Sequence, residues 1–147
     1  MKKSEKATDG KKVAVQELRK AAEQGDAEAQ FALSIFYADG DGVRKNKVEA
    51  VKWLRRAAKQ GHTLAQVNLG LCYEDGDGVR KDMRSAVRWY RRAAEQRCDW
   101  GQCMLALCYI SGNGMRANEA EARKWLRKAA KQGNSMAKAV LVELLKR

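Results

Sequence analysis

Two kinds of segment alternate along the chain, one apolar on more than one side and one split between an apolar and a basic side. AEAQFALSIFYAD, from residue 27, carries Ala29, Leu33 and Tyr37 on one stripe and Phe31, Ala32 and Ile35 on another. KVEAVKWLRRAAK, from residue 47, sets Ala50, Trp53, Ala57 and Ala58 against Lys52, Arg55, Arg56 and Lys59. Apolar spacings of three and four predict α-helices. The pair of segments returns with a period of 36: Tyr37, Tyr73 and Tyr109 fall in step, as do Trp53, Trp89 and Trp125, and the Ala pairs 57/58, 93/94 and 129/130. Ala21 and Ala22 stand one period earlier and mark a half-repeat. A fixed period of this kind predicts units that bury their apolar faces only against neighbours.

The pattern predicts eight helices, near residues 11–24, 27–38, 47–60, 63–74, 83–96, 99–110, 119–132 and 135–146. Asn46, Asp82 and Asn118 open the second helix of each unit, and Asp26, Thr63, Asp99 and Ser135 open the first; all are residue types that accept free amide hydrogens at a helix start. Gly61 and Gly133 suit left-handed helix ends. Arg97 stands at the equivalent position, so an altered turn is expected between the second and third units. The expected fold is all-α, a right-handed α/α superhelical solenoid of 36-residue helix-turn-helix repeats. A charged flexible tail covers residues 1–9, and one solenoid covers 10–147, as a half-repeat 10–25, full repeats 26–61, 62–97 and 98–133, and a half-repeat 134–147.

Between the two helices of a unit lies DGDGVRK, present at Asp39 to Lys45 and again at Asp75 to Lys81. Asp-x-Asp opens a calcium loop, but such a loop needs a glutamate at its twelfth position, and Ala50 and Ala86 stand there. The third copy, Ser111 to Arg116, keeps both glycines and loses both carboxylates. The element retained is a tight Gly-x-Gly turn.

The order Ala29, Leu33, Tyr37, Gly40, Gly42, Val43, Ala50, Trp53, Ala57, Ala58, Gly61 resembles the Sel-1-like repeat family, an α/α relative of the tetratricopeptide repeats, over about residues 11–147. Departures from the family pattern are Gly101 for an alanine, Ser34 and Ala106 for a glycine, and Arg97 at the cap. The resemblance implies a non-catalytic adaptor that binds other proteins.

Composition narrows the function further. The formal net charge is +12, with no proline in 147 residues, which predicts attraction to an acidic partner, nucleic acid or an anionic surface. The opening MKKSEKATDG has no apolar run, and no stretch of eighteen apolar residues follows, so a cytoplasmic location is the expectation. Cys72, Cys98, Cys103 and Cys108 fit no zinc spacing and read as thiols in a reducing compartment. His62, the single histidine, has Asp26, Cys98 and Asn134 as repeat equivalents and reads as a cap or loop residue. No catalytic, cofactor-binding or metal-binding residues are assigned, and the chain is expected not to be an enzyme.

Two surfaces are candidates for binding. By resemblance to tetratricopeptide repeats, the second stripe of the first helices lines a concave groove, giving Phe31, Ile35, Val67, Leu71, Trp100, Met104 and Leu107 as a row for a partner helix or extended peptide. The alternative is that these side chains pack between repeats. The other surface is a basic ladder, Lys52, Arg55, Arg56, Arg88, Arg91, Arg92, Lys124, Arg127 and Lys128, along the convex side, where no interleaved aromatics are expected. The primary reading is an interaction module for an acidic protein or peptide, with an inhibitor or immunity-type protein as one form. Nucleic-acid binding through the ladder is the alternative, and the apolar last helix leaves dimerisation open.

Overall fold

The structure, a computed structural model, describes residues 2–147, with side chains from Ser4 onward. Among the described residues eight helices follow one another: α1 (Lys2–Glu23), α2 (Ala27–Asp39), α3 (Lys47–Lys59), α4 (Thr63–Asp75), α5 (Met83–Glu95), α6 (Asp99–Ser111), α7 (Glu119–Lys131) and α8 (Ser135–Leu145). They form an all-α solenoid in which α2/α3, α4/α5 and α6/α7 are the three full hairpins. α1 begins nine residues before the expected start at 11. Its early turns hold Lys, Glu and Ala, all good helix formers, and residues 4–14 are exposed along it. Met1 lies outside the described residues.

The caps follow the repeat with one shift. Asn46, Asp82 and Asn118 accept from the backbone amides of Glu49, Ser85 and Glu121, as expected. For the first helices Asp26 and His62 are caps foreseen; the caps of α4, α6 and α8 sit one residue earlier than the openers Thr63, Asp99 and Ser135, at His62, Cys98 and Asn134. Asp26, His62 and Asn134 each accept a backbone amide, whereas Cys98 makes no such bond. A thiol is a weak acceptor, which leaves that helix start uncapped.

The turn at Arg97 is altered only slightly: Gln96 takes φ −87°, ψ 15° against −78°, −3° at Gln60, and its amide lacks the bond to the residue four before that Gln60 and Gln132 make. Arg97 takes φ 66°, against 95° at Gly61 and 97° at Gly133, and the closing bonds Arg97 N–H to Ala94 and Cys98 N–H to Ala93 match those of the other units. The chain enters the left-handed region there despite the steric cost of a Cβ.

Three devices join each unit to the one before. The first is the Gly-x-Gly turn. A Cβ on Gly78 would lie 2.3 Å from the Lys47 carbonyl oxygen, so the turn rests directly on the first residue of the preceding second helix. The second is the second aspartate of DGDG, which pairs across this contact: Asp77 with Lys47 at 2.7 Å and Asp41 with Lys11 at 2.8 Å. In the third unit Asn113 and Met83 stand at these positions. The third device is a buried glutamine ladder. Gln66 donates to the Ala58 carbonyl at 3.0 Å and accepts from Gln96 at 2.9 Å; Gln30 and Gln102 do the same with Ala22 and Gln60, and with Ala94 and Gln132. Each buried amide thus links three helices, which a buried polar group requires.

The apolar core is divided into four clusters, each shared by adjacent hairpins, so no unit holds a core of its own.

Candidate partner-binding surfaces

The first helices α2, α4, α6 and α8 present one face to solvent. Leu64, Trp100 and Met136 are repeat equivalents at the starts of α4, α6 and α8, and they are 47%, 43% and 42% exposed; Ile35 on α2 is 42% exposed. Large apolar side chains exposed in register form a row along the solenoid. Glu28 holds the same position on α2, so the fold itself does not demand an apolar residue there.

The seven residues expected to line a groove divide by depth. Ile35 and Trp100 are exposed; Phe31, Leu71, Met104 and Leu107 are half-buried. Val67 is buried in the core formed by α4, α5 and α6, so it supports the face from beneath and a partner does not touch it. Ile35 and Leu71 share the wall of an apolar pocket between α2, α3 and α4, about 190 Å³ in volume. Phe31 stacks on the His62 ring at a centroid distance of 4.6 Å. His62 Nδ1 accepts the Ala65 amide at 3.1 Å, which places the proton on Nε2, and Nε2–H donates to Glu28 at 2.8 Å. His62 is therefore a cap that also ties α4 to α2.

Charge is segregated between the two kinds of helix. α2, α4 and α6 carry Glu28, Asp39, Glu74, Asp75 and Asp99, and no lysine or arginine. Most cations belong to α1, α3, α5 and α7, with others in the turns and Lys138 on α8, and many of the ladder residues already have work. Arg55 donates to the Tyr73 hydroxyl at 2.9 Å and Arg91 to the Tyr109 hydroxyl at 3.3 Å; Arg19 bonds Tyr37 in the same register. Arg56, Arg92 and Lys128 stand over the rings of Trp53, Trp89 and Trp125 at 4.7, 4.9 and 4.5 Å. Aromatic rings therefore do interleave with the ladder, contrary to the sequence expectation. A tryptophan and the residue three further on share a helix face, so the ring face is taken by an intramolecular cation. Arg88 bonds the Ser85 hydroxyl, Lys52 pairs with Glu49 and Lys124 with Glu121. Arg127, whose equivalents hold tyrosines, is exposed and has Leu145 in place of that partner.

The thiols are not arranged for chemistry. Burial pushes Cys72, Cys103 and Cys108 up to about 11, so each is held protonated at neutral pH. All four cysteines are free. No helix among the described residues is long and apolar enough to cross a membrane.

The Sel1 repeat family model matches residues 18–26, 27–62, 63–98 and 101–134. Among solved structures, a Sel1 repeat protein from Oxalobacter formigenes is similar at TM-score 0.82 and 42% identity, over 88% of this chain and 98% of that one. The protein c5321, a protective antigen of uropathogenic Escherichia coli strains with an SLR fold, is similar at TM-score 0.81 and 41% identity, over 84% of this chain and 26% of its own. Helicobacter pylori cysteine rich protein B is similar at TM-score 0.72 and 27% identity, over 91% of this chain and 96% of that one. No curated protein matches the chain.

Proposed function

The chain belongs to the Sel1 repeat family, whose members generally mediate protein–protein interactions, and from that premise we propose that it is a non-catalytic module holding a partner segment along the face of its first helices. The exposed residues Leu64, Trp100 and Met136 carry this reading, because they keep apolar side chains in water at a position the repeat can fill with glutamate, and Ile35 is exposed on α2 as well. Trp100 is the strongest single anchor, as a large ring that buries much area with little loss of side-chain freedom. The partner protein as a whole is acidic in this reading, drawn by the +12 charge. That charge lies largely off α2, α4 and α6, so a segment seated on those three helices meets apolar and acidic side chains. An inhibitor or immunity-type protein that occludes an effector is one form such a module takes.

The competing reading, nucleic acid on the basic ladder, is weakened by the pairing of Arg55, Arg91, Arg56, Arg92 and Lys128 with aromatic groups of the chain itself. Affinity capture from source-cell lysate, with and without nuclease, separates the two. Three baits run in parallel: wild type, Leu64→Glu/Trp100→Glu, and Lys59→Glu/Arg127→Glu/Lys131→Glu. A protein that survives nuclease and is lost only with the first variant supports the module; capture that needs the second surface and intact nucleic acid overturns it.

A further inference from the structure

The repeat supplies its own reference for the pocket between α2, α3 and α4. Its lining includes Ser34, Ile35, Val51, Leu54, Asn68 and Leu71, with the bonded pair Lys47 and Asp77. One period later, Leu54 becomes Tyr90, Ser34 becomes Gly70, Asn68 becomes Met104 and Lys47 becomes Met83. In that unit Tyr90 is fully buried, with Met83 and Met104 packed against its cluster. The second unit thus fills from within a space that the first leaves open beside exposed Ile35. A cavity of about 190 Å³ exceeds the ~150 Å³ that accommodates a benzene ring.

Charge around the opening narrows the occupant. The first helices of the three full units bear five carboxylates and no cation. Lys47 is engaged by Asp77, whereas Asp75 joins no ion pair among the described residues. Asp75 stands three residues after Cys72 and four after Leu71 on α4, one helical turn beyond two residues of the pocket lining and on their face. An incoming segment therefore meets an apolar hole with the carboxylate of Asp75, outside any ion pair, one helical turn away on α4.

We propose that this pocket receives one large apolar side chain, of leucine or phenylalanine size, from a partner segment that carries a cationic residue beside it, set against Asp75. The assignment rests on the reading of the first-helix face as the partner surface.

The test titrates acetyl-Phe-Lys-amide, acetyl-Phe-Glu-amide and acetyl-Ala-Lys-amide into the full chain and follows the methyl resonances of Ile35, Val51 and Leu71. The lysine-bearing phenylalanine peptide is expected to saturate with Kd of about 0.1–10 mM, the range for a ligand held by one side chain. The glutamate version binds about threefold or more weaker, a difference that Asp75→Asn removes, and the alanine peptide gives no saturable shift. Ser34→Gly/Leu54→Tyr transfers the filled arrangement of the second unit and abolishes binding while circular dichroism and Tm report a folded chain. Ile35→Gln, at the exposed wall, weakens binding as a second, milder variant.

Absence of a saturable shift in wild type, an unchanged shift in the filled variant, or equal binding of the glutamate peptide overturns the proposal. Its failure is separable from failure of the wider reading: if a captured protein depends on Trp100 but ignores the filled pocket, the surface stands and this assignment falls. If capture ignores Trp100 as well, the surface itself is wrong.

Discussion

The ring of Tyr90 occupies the space that a side chain at position 70 would need: a Cβ on Gly70 would lie 2.4 Å from the Tyr90 ring. The equivalent pairs are Leu54 with Ser34 and Leu126 with Ala106, so a larger residue on the second helix is matched by a smaller one on the first. Gly70→Ala is expected to destabilise the chain by about 1–3 kcal/mol through overpacking. Tyr90→Leu in the same chain restores most of that loss. A double-mutant cycle in urea measures the coupling, and additive effects of the two changes would refute the packing argument.

This pairing also marks how far the fold was legible from sequence. The period of Tyr37, Trp53 and the Ala pairs placed all eight helices, because one repeated constraint corrects local errors. It set three helix openers one residue late, since Thr63, Asp99 and Ser135 are good cap types standing next to the positions that do the capping, and only the reading of His62 as a cap pointed to the right one. The glutamine ladder and the Arg–Tyr bonds were overlooked, although Gln30, Gln66 and Gln102, and arginines eighteen residues before each tyrosine, are in plain register. Polar residues on mainly apolar helices invite no partner until the helices are assembled. The pocket was illegible for a related reason: it depends on the difference in volume between Leu54 and Tyr90, and a pattern that scores both as apolar does not register it.

Arg97 holds a left-handed backbone that the other units give to glycine. Arg97→Gly relieves the Cβ clash but also loosens the unfolded chain, and the balance is expected to favour the folded state by about 0.5–1 kcal/mol. Urea denaturation gives the sign. A loss of stability would mean that the Arg97 side chain contributes contacts worth more than the backbone strain.

Gln66 is buried and joins α3, α4 and α5 through Ala58 and Gln96. Gln66→Leu keeps the bulk and removes both bonds, leaving the Ala58 carbonyl with the backbone amide of Gly61 across the turn and Gln96 without its partner on α4. The expected cost is about 1–3 kcal/mol. Hydrogen exchange is the sharper readout: protection should fall in α3, α4 and α5 together, because the ladder couples units and not residues within one helix.

Cys98 starts α6 without accepting a backbone amide, unlike its equivalents Asp26, His62 and Asn134. Cys98→Asp supplies the missing acceptor at a helix N-terminus, where negative charge is also favoured. Stability is expected to rise by about 0.5–2 kcal/mol. An unchanged urea midpoint would indicate that the backbone there does not present the Gly101 amide to a side chain as the other three starts do.

The same substitution leaves three thiols whose titration can be read cleanly. Cys72, Cys103 and Cys108 are pushed up to about 11, in each case chiefly by burial. At pH 8 a thiol of that pKa is about one part in a thousand thiolate, so the native protein should react far more slowly with a disulfide reagent than the urea-unfolded chain. The linked effect on stability follows in sign. Because folding raises these pKa values, the unfolded chain loses its thiol protons first, so their contribution is intact below the unfolded value near 8.5 and is lost as pH rises toward 11. Urea midpoints at pH 8 and pH 10.5 should therefore differ more in Cys98→Asp than in a chain that also carries Cys72→Ala and Cys108→Ala. Equal differences in the two chains would show that the thiols ionise in the folded state as readily as in the unfolded one.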